Sequence, residues 1–326
     1  MTDESGDVNL CRICRETSGP TQRFRAVERM NGTRDGFDYI KCLICGCLQI
    51  EHIPQDLSRY YLSDYYSFAV SNRRIKEWLK LQRNRQHSGA KTRVGALLTA
   101  VIGPPMFSRW LAFADTQSPK VLDVGSGSGH LVSDLRRVGI DALGVDPYLA
   151  DDIRDSENSL IVRSCGLTEI DEKYDLIMFH HSLEHIAEQS ETLEVALDLL
   201  RPAGTILVRI PLVDSYAWRT FGLDWVQLDA PRHLYLHTRH SMTIVAERAG
   251  LNVDAIIDDS TIFQLDASKW YANGKDLRSY RHPSFFAKRL KRRLRKETAL
   301  VGLLNMTHDG DQALFVLRRR GEARAL

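Results

Sequence analysis

The sequence predicts an α/β protein in which a small cysteine-bearing module precedes a doubly wound, mostly parallel seven-stranded sheet. Three observations carry that expectation. From residue 119 onward, short β-like runs alternate with amphipathic helical stretches, the pattern of parallel strands joined by crossover helices. A glycine-rich loop at 125–129, "GSGSG", follows the first of those runs. Five of the six cysteines crowd into residues 11–47.

Bulk composition narrows the classes. With 326 residues and 43% hydrophobic content, the chain can fill one full α/β domain plus smaller attachments. A net charge of +2, from 44 basic and 42 acidic residues, gives no global attraction to nucleic acid or anionic lipid, so any basic surface has to be local. The start, "MTDESGDVNL", is acidic and lacks the apolar core of a secretory leader. No run of about 18 uncharged apolar residues offers a membrane span. The expectation is a cytoplasmic protein whose clustered thiols bind metal rather than pair as disulfides.

Residues 1–66 read as a zinc-ribbon-like module. Cys11-x2-Cys14 and Cys42-x2-Cys45 each place two sulfurs on one ion, and four thiolates close a tetrahedral shell, so the expected zinc is structural. Gly46 lets the second knuckle fold over the metal, whereas Arg15 holds the matching place in the first and predicts distortion there. Cys47 is a less typical substitute for Cys45, and Cys165 is expected simply to pack. Residues 67–113 read as a basic helical connector, with Arg73, Arg74, Lys76, Lys80, Arg83, Arg85, Lys91 and Arg93 against Glu77 alone. Residues 114–326 carry the sheet domain, with insertions at 214–240 and 266–305. Its strands are "KVLDVG", "DALGV", "SLIVR", "YDLIMF", "GTILVRI", "LNVDAII" and the closing "DQALFVLRRR".

The glycine loop carries the first chemistry. Gly125, Gly127 and Gly129 let the chain turn sharply and approach a ligand, and the helix that follows presents free N–H groups. The dinucleotide fingerprint would need a third glycine at position 130, which is His130; the pattern here is G-x-G-x-G. Asp123, two residues before the first glycine, would repel a pyrophosphate. S-adenosylmethionine has no phosphate and carries an ammonium group, so an acid there suits it. Asp146, ending the second strand, can accept hydrogen bonds from both ribose hydroxyls.

Asp123 through Gly129, Asp146, "YDLIMFHHSLEH" and "LLRPAGTILVRIP" together resemble the class I S-adenosylmethionine-dependent methyltransferases over roughly residues 119–257. The resemblance implies a Rossmann-like fold in which the first loop, with Ser126, holds the methionine part of the cofactor. It further implies that Asp146 holds ribose, that Cys165, Gly166 and Leu167 flank adenine, and that His180 joins the cofactor-binding set. Cys165 departs from the acid that many relatives carry near that place, and "RPAG" from their Pro-Gly-Gly turn.

"HHSLEH" falls at the carboxyl end of the fourth strand, where open α/β sheets gather their ligands. Three uses compete. His185 or His181, beside Glu184, is a general base toward a substrate hydroxyl. Alternatively His181, Glu184 and His185 join a later histidine to hold a divalent metal at the active site, which orients hydroxyls. The H-x-x-E-H pattern resembles the E-x-x-E-H metal site of small-RNA 2′-O-methyltransferases, with histidine in the first place. In the third use Glu184 and His185 merely cap a helix and brace the loop.

The insertion "DWVQLDAPRHLYLHT" resembles a segment that methyltransferases of bacterial polysaccharide-biosynthesis clusters carry after the fifth strand. That resemblance implies His233 as a second proton acceptor or ligand, with Arg232 as substrate anchor and Trp225 and His237 on the substrate side. The expected function is methyl transfer to oxygen, on a sugar hydroxyl of a cell-surface glycan or its nucleotide- or lipid-linked precursor. RNA ribose methylation, sugar C-methylation and a noncatalytic zinc-binding adaptor are the alternatives; nucleic acid is the lesser partner. The basic segment 281–296, containing "KRLKRRLRK", reads as a solvated helix docked by its apolar face, or as a peripheral contact with anionic lipid on the inner membrane face.

Overall fold

In the computed structural model, which describes residues 11–61, 74–87, 92–280 and 292–321, all seven β-like runs are strands. The N-terminal module contributes β1 (Thr21–Val27), β2 (Gly36–Cys42) and β3 (Leu48–Ile50), and the connector contributes α1 (Arg74–Gln86), α2 (Arg93–Ile102) and α3 (Met106–Leu111). The sheet domain follows with β4 (Lys120–Val124), α4 (His130–Arg136), β5 (Asp141–Val145), β6 (Ile153–Arg154), β7 (Leu160–Arg163) and β8 (Tyr174–His180). Then come α5 (Gln189–Asp198), β9 (Leu200–Pro211), α6 (Tyr216–Phe221), β10 (Tyr235–Leu236) and α7 (Arg239–Arg248). β11 (Leu251–Asp258), α8 (Ile262–Ala272), α9 (Arg292–Met306) and β12 (Gln312–Arg319) complete it.

The large sheet runs β11-β12-β9-β8-β4-β5-β7-β6. Strand order reverses at β4, between parallel β5 and β8, which opens the ligand crevice at their carboxyl ends. β12 lies antiparallel between β9 and β11. The eighth strand, absent from the sequence expectation, is the two-residue β6 paired antiparallel to β7 at the edge.

The central strands read as unbroken apolar runs because both faces are buried. Val121, Leu176, Met178, Leu207, Leu314 and Val316 pack on one side with Phe107 and Trp110 of α3 and Val132 and Leu135 of α4. The alternate residues, Leu122, Ile177, Phe179, Ile206, Val208 and Phe315, face the other side with Leu193 of α5 and Val245 of α7.

The cysteine module is fused to that second face. Cys11, Cys42, Cys45, Tyr39 and Ile50 belong to the same apolar core as α5 and α7. Its sheet, β1-β2-β3-β10, takes its last strand from the 214–240 insertion, with Leu236 opposite Leu48 and Tyr235 opposite Gln49. The two segments, separate in the sequence reading, therefore share one sheet.

In the connector, Gly95 lets α2 lie against α1: a Cβ there would stand 2.4 Å from the Gln82 carbonyl oxygen. Lys80 and Glu77 of α1 pair with Asp134 and Arg137 at 2.7 and 3.0 Å. The basic segment 281–296 lies outside the described residues up to 291, and its side chains up to 295. No described helix is long and apolar enough to cross a membrane.

Candidate functional site

Beyond the carboxyl ends of β4, β5 and β8 lies a cleft of about 550 Å³, lined by Gly125, Gly127, Asp146, Tyr148, Leu167 and Thr168 among others. The loop that shapes it depends on glycine. Gly125, Gly127 and Gly129 have φ of 73°, 52° and 71°, and a Cβ on Gly125 would meet the Ser182 side chain at 2.5 Å. Asp146 accepts from the backbone N–H of Gly127 at 2.9 Å and of Tyr148 at 3.0 Å, which fixes its carboxylate at the cleft wall.

Several expected cofactor contacts fall elsewhere. Asp123 is buried beneath the loop and does not line the cleft; burial, then the charge of Asp146, pushes its carboxyl up to about 7. The acid that lines the cleft is Asp146. Ser126 Oγ points at Gly144 and is buried without a partner. Gly129 packs against Val162, and Cys165 is buried, its thiol pushed up by burial. Of the adenine-side trio only Leu167 lines the cleft, joined by Thr168. His180 points the other way, its ring 4.7 Å from that of Trp110. Tyr148 and Tyr61, missed in the sequence, stack at 5.9 Å over the opening. The signal was "VDPYL": an aromatic two places past Asp146.

A second cleft, of about 650 Å³, is lined by Asn31, Arg209, Gln227, Asp229, His233, Phe263 and Tyr280 among others. His181 lines both clefts. Its backbone is left-handed, φ 53°, which turns the ring into the junction. Arg209 Nη1 donates to His181 Nε2 at 2.6 Å, so Nδ1 carries the proton and donates to Glu184 Oε1 at 3.2 Å. Both ring nitrogens are committed, and burial with the charges of Arg209 and His233 holds the imidazole well below its usual value. His181 therefore has no lone pair for a substrate proton, which removes it as the base. Arg209, itself bonded to Asp259 at 2.6 Å, was not foreseen; a lone arginine inside "TILVRIP" was the available signal.

His185 and His233 differ. His185 Nδ1 donates to the Arg232 carbonyl at 2.8 Å and His233 Nδ1 to the Gln227 carbonyl at 2.7 Å, so each keeps a lone pair on Nε2. Burial, then His233, lowers His185 to about 4. Fully buried Glu184 is raised by that burial, and its Oε2 has no hydrogen-bond partner. Ligand atoms of Glu184, His185 and His233 all lie within 4.8 Å of one another.

The other insertion residues are structural. Trp225 is fully buried and its Nε1 donates to Asp311 at 2.9 Å. His237 is buried between Ser241 and Gln189, and burial lowers it to about 3. The Arg232 guanidinium is held by Glu28, Asp229 and the Tyr60 carbonyl, so it cannot anchor substrate.

In the module, the sulfurs of Cys11, Cys14, Cys42 and Cys45 lie within 4.8 Å of one another, a set that fits tetrahedral zinc. Cys47 stands outside it. The expected distortion at Arg15 is absent: Arg15 takes φ 60° as Gly46 takes 78°, and their amides donate to the Cys11 and Cys42 carbonyls at 2.7 and 2.9 Å. The exposed arginine has room for a conformation that at half-buried Gly46 would drive a Cβ to 2.6 Å from Thr238.

The chain is 24% identical over 164 residues to a ubiquinone biosynthesis O-methyltransferase of Rhodopseudomonas palustris (strain TIE-1), covering 43% of this chain and 64% of that protein. A protein of the same description from Azorhizobium caulinodans is 28% identical over 124 residues, 35% of this chain and 49% of its own. Among solved structures, a SAM dependent methyltransferase from Archaeoglobus fulgidus matches at 19% identity and TM-score 0.41, covering 68% of this chain and 92% of that one. A family model described as a methyltransferase domain matches residues 104–256, the stretch that supplies most of the first cleft's lining. Residues 104–256 are therefore similar to the methyltransferase-domain family.

Proposed function

We propose that the protein transfers a methyl group from S-adenosylmethionine to an oxygen, on a sugar hydroxyl of a glycan or its nucleotide- or lipid-linked precursor. The observation that carries this reading is the meeting of two clefts at His181: a glycine-lined cleft with the ribose-side acid, and an acceptor cleft beside it. The acceptor wall suits a sugar, since Phe263 and Tyr280 offer faces for C–H groups while Asn31, Gln227 and Asp229 offer donors and acceptors for hydroxyls. S-adenosylmethionine supplies the chemistry: the acceptor oxygen bonds to the methyl carbon, the carbon–sulfur electrons stay on sulfur, and a proton is left for a base. His233 is that base on geometry, because it lines the acceptor cleft and keeps a lone pair on Nε2. Glu184 and Asp229, 4.0 and 3.9 Å away, stabilise the imidazolium. The four-cysteine cluster holds structural zinc.

A second reading of the same residues is supported by one observation, the orphaned Glu184 Oε2. Glu184, His185 and His233 form a two-histidine, one-carboxylate set with ligand atoms within 4.8 Å of one another, and the histidines each donate their Nδ1–H to a backbone carbonyl, as metal ligands commonly do. A divalent cation there would polarise an acceptor hydroxyl and replace His233 as base. Turnover lost to a chelator and restored by manganese would favour the cation; indifference to chelation would favour His233.

The test of function is transfer of labelled methyl from S-adenosylmethionine to fractionated bacterial extract. Label in glycan is expected. Label confined to RNA, or on sugar carbon, would replace the acceptor assignment, and no transfer together with no cofactor binding would leave an adaptor.

A further inference from the structure

Glu28, at the end of β1, is fully buried in the N-terminal module, 204 residues from its partner Arg232. Its carboxylate closes its own turn, accepting from the N–H of Asn31 at 2.8 Å and of Thr33 at 3.0 Å, and receives Arg232 Nη2 at 3.1 Å. Arg232, also fully buried, donates further to both oxygens of Asp229, at 2.5 and 3.0 Å, and to the Tyr60 carbonyl at 3.0 Å. Buried ion pairs commonly stabilise no better than apolar groups of the same volume, so cohesion alone does not account for the fully buried Glu28–Arg232 pair with half-buried Asp229 beside it. Their common output is placement. The Arg232 carbonyl receives the His185 Nδ1 proton, the next residue is His233, and Asp229 stands 3.9 Å from His233 Nε2. The turn that Glu28 closes also sets Met30 and Asn31 into the acceptor wall.

We infer that Glu28 is a positioning residue of the active site: through Arg232, the cysteine module fixes the ring orientation and tautomer of His185 and His233. The geometry stands by itself; its catalytic meaning rests on the methyltransferase reading. The cysteine module is then a working part of the acceptor site as well as a zinc-held scaffold.

The experiment uses full-length protein labelled with 15N-histidine, saturated with S-adenosylhomocysteine, and long-range proton–nitrogen spectra assigned with His185→Ala and His233→Ala. In the wild type both histidines should show the pattern of a proton fixed on Nδ1. Glu28→Gln should keep S-adenosylhomocysteine affinity within about twofold while the single-tautomer pattern of His185 and His233 is lost to a mixture. Should Glu28→Gln fail to fold, the Glu28→Met, Arg232→Met pair, which replaces the buried charges by apolar groups of similar length, decides. A folded variant of either kind that keeps both histidines on Nδ1 overturns the inference. Absence of S-adenosylhomocysteine binding in the wild type would strike the methyltransferase reading instead, and leaves the histidine comparison intact.

Discussion

Asp123 offers a prediction whose size can be worked out. Its carboxyl stands near 7 in the fold against 3.8 for the unperturbed group, because burial and the charge of Asp146 both disfavour ionisation. Between those values the unfolded chain has released a proton that the native state still holds, so stability falls as pH rises, by about 1.4 kcal/mol per unit. The destabilisation is absent below the lower value and complete above the upper one, reaching on the order of 4 kcal/mol. Asp123→Asn removes the titration and keeps the shape. Urea unfolding of both proteins from about pH 5.5 to 8 isolates the effect, since other groups cancel in the difference; the variant's advantage should grow by about 2 kcal/mol over that range. An advantage that does not change with pH would refute the reasoning.

Four further outcomes are expected. Asp146→Ala should weaken S-adenosylhomocysteine by about 10²–10⁴-fold, the loss of two charge-assisted hydrogen bonds of about 1.5–3 kcal/mol each; calorimetry showing less than about a fivefold change would remove its ribose role. His233→Ala should lower turnover by about 10²–10⁴-fold with cofactor affinity kept, and an unimpaired rate would dismiss it as the base. Zinc analysis should give one equivalent per chain, lost in Cys42→Ser and kept in Cys47→Ser, because Cys47 stands outside the four-sulfur cluster. Gly129→Ala should cost about 2–5 kcal/mol in urea unfolding, combining a φ of 71° with a Cβ 2.5 Å from Val162; a cost under 1 kcal/mol would show the loop relaxes freely.

The strands were legible because burial on both faces leaves an apolar run such as "YDLIMF" with no other reading. β6 and β10 were not, since two-residue strands carry no period and exist only through the neighbour they pair with. The same distinction governs the site. Glycines and Asp146 announce themselves locally, and His185 and His233 stand out as titratable residues at a strand end and in an inserted loop. Trp225, Arg232 and His237 belong to the same residue types, yet each is satisfied by a partner distant in sequence, Asp311, Glu28 and Gln189 respectively. A polar side chain turned inward to such a partner looks, in one dimension, like one turned toward substrate. Arg209 was overlooked for the opposite reason: its strand reads as core, and its guanidinium is the exception that the junction requires.

The pairing of β3 with β10 has a consequence for biosynthesis. Ile50 leaves the ribosome long before Leu236, and at about 5–20 residues per second the interval is on the order of 10–40 s. Throughout it the newborn module exposes an apolar strand edge with nothing to close it, the kind of edge that recruits other chains. Nascent chains stalled before residue 235 should therefore bind chaperone or aggregate, and chains stalled after α7 should not; equal behaviour of the two sets would show that the module closes its edge by another route.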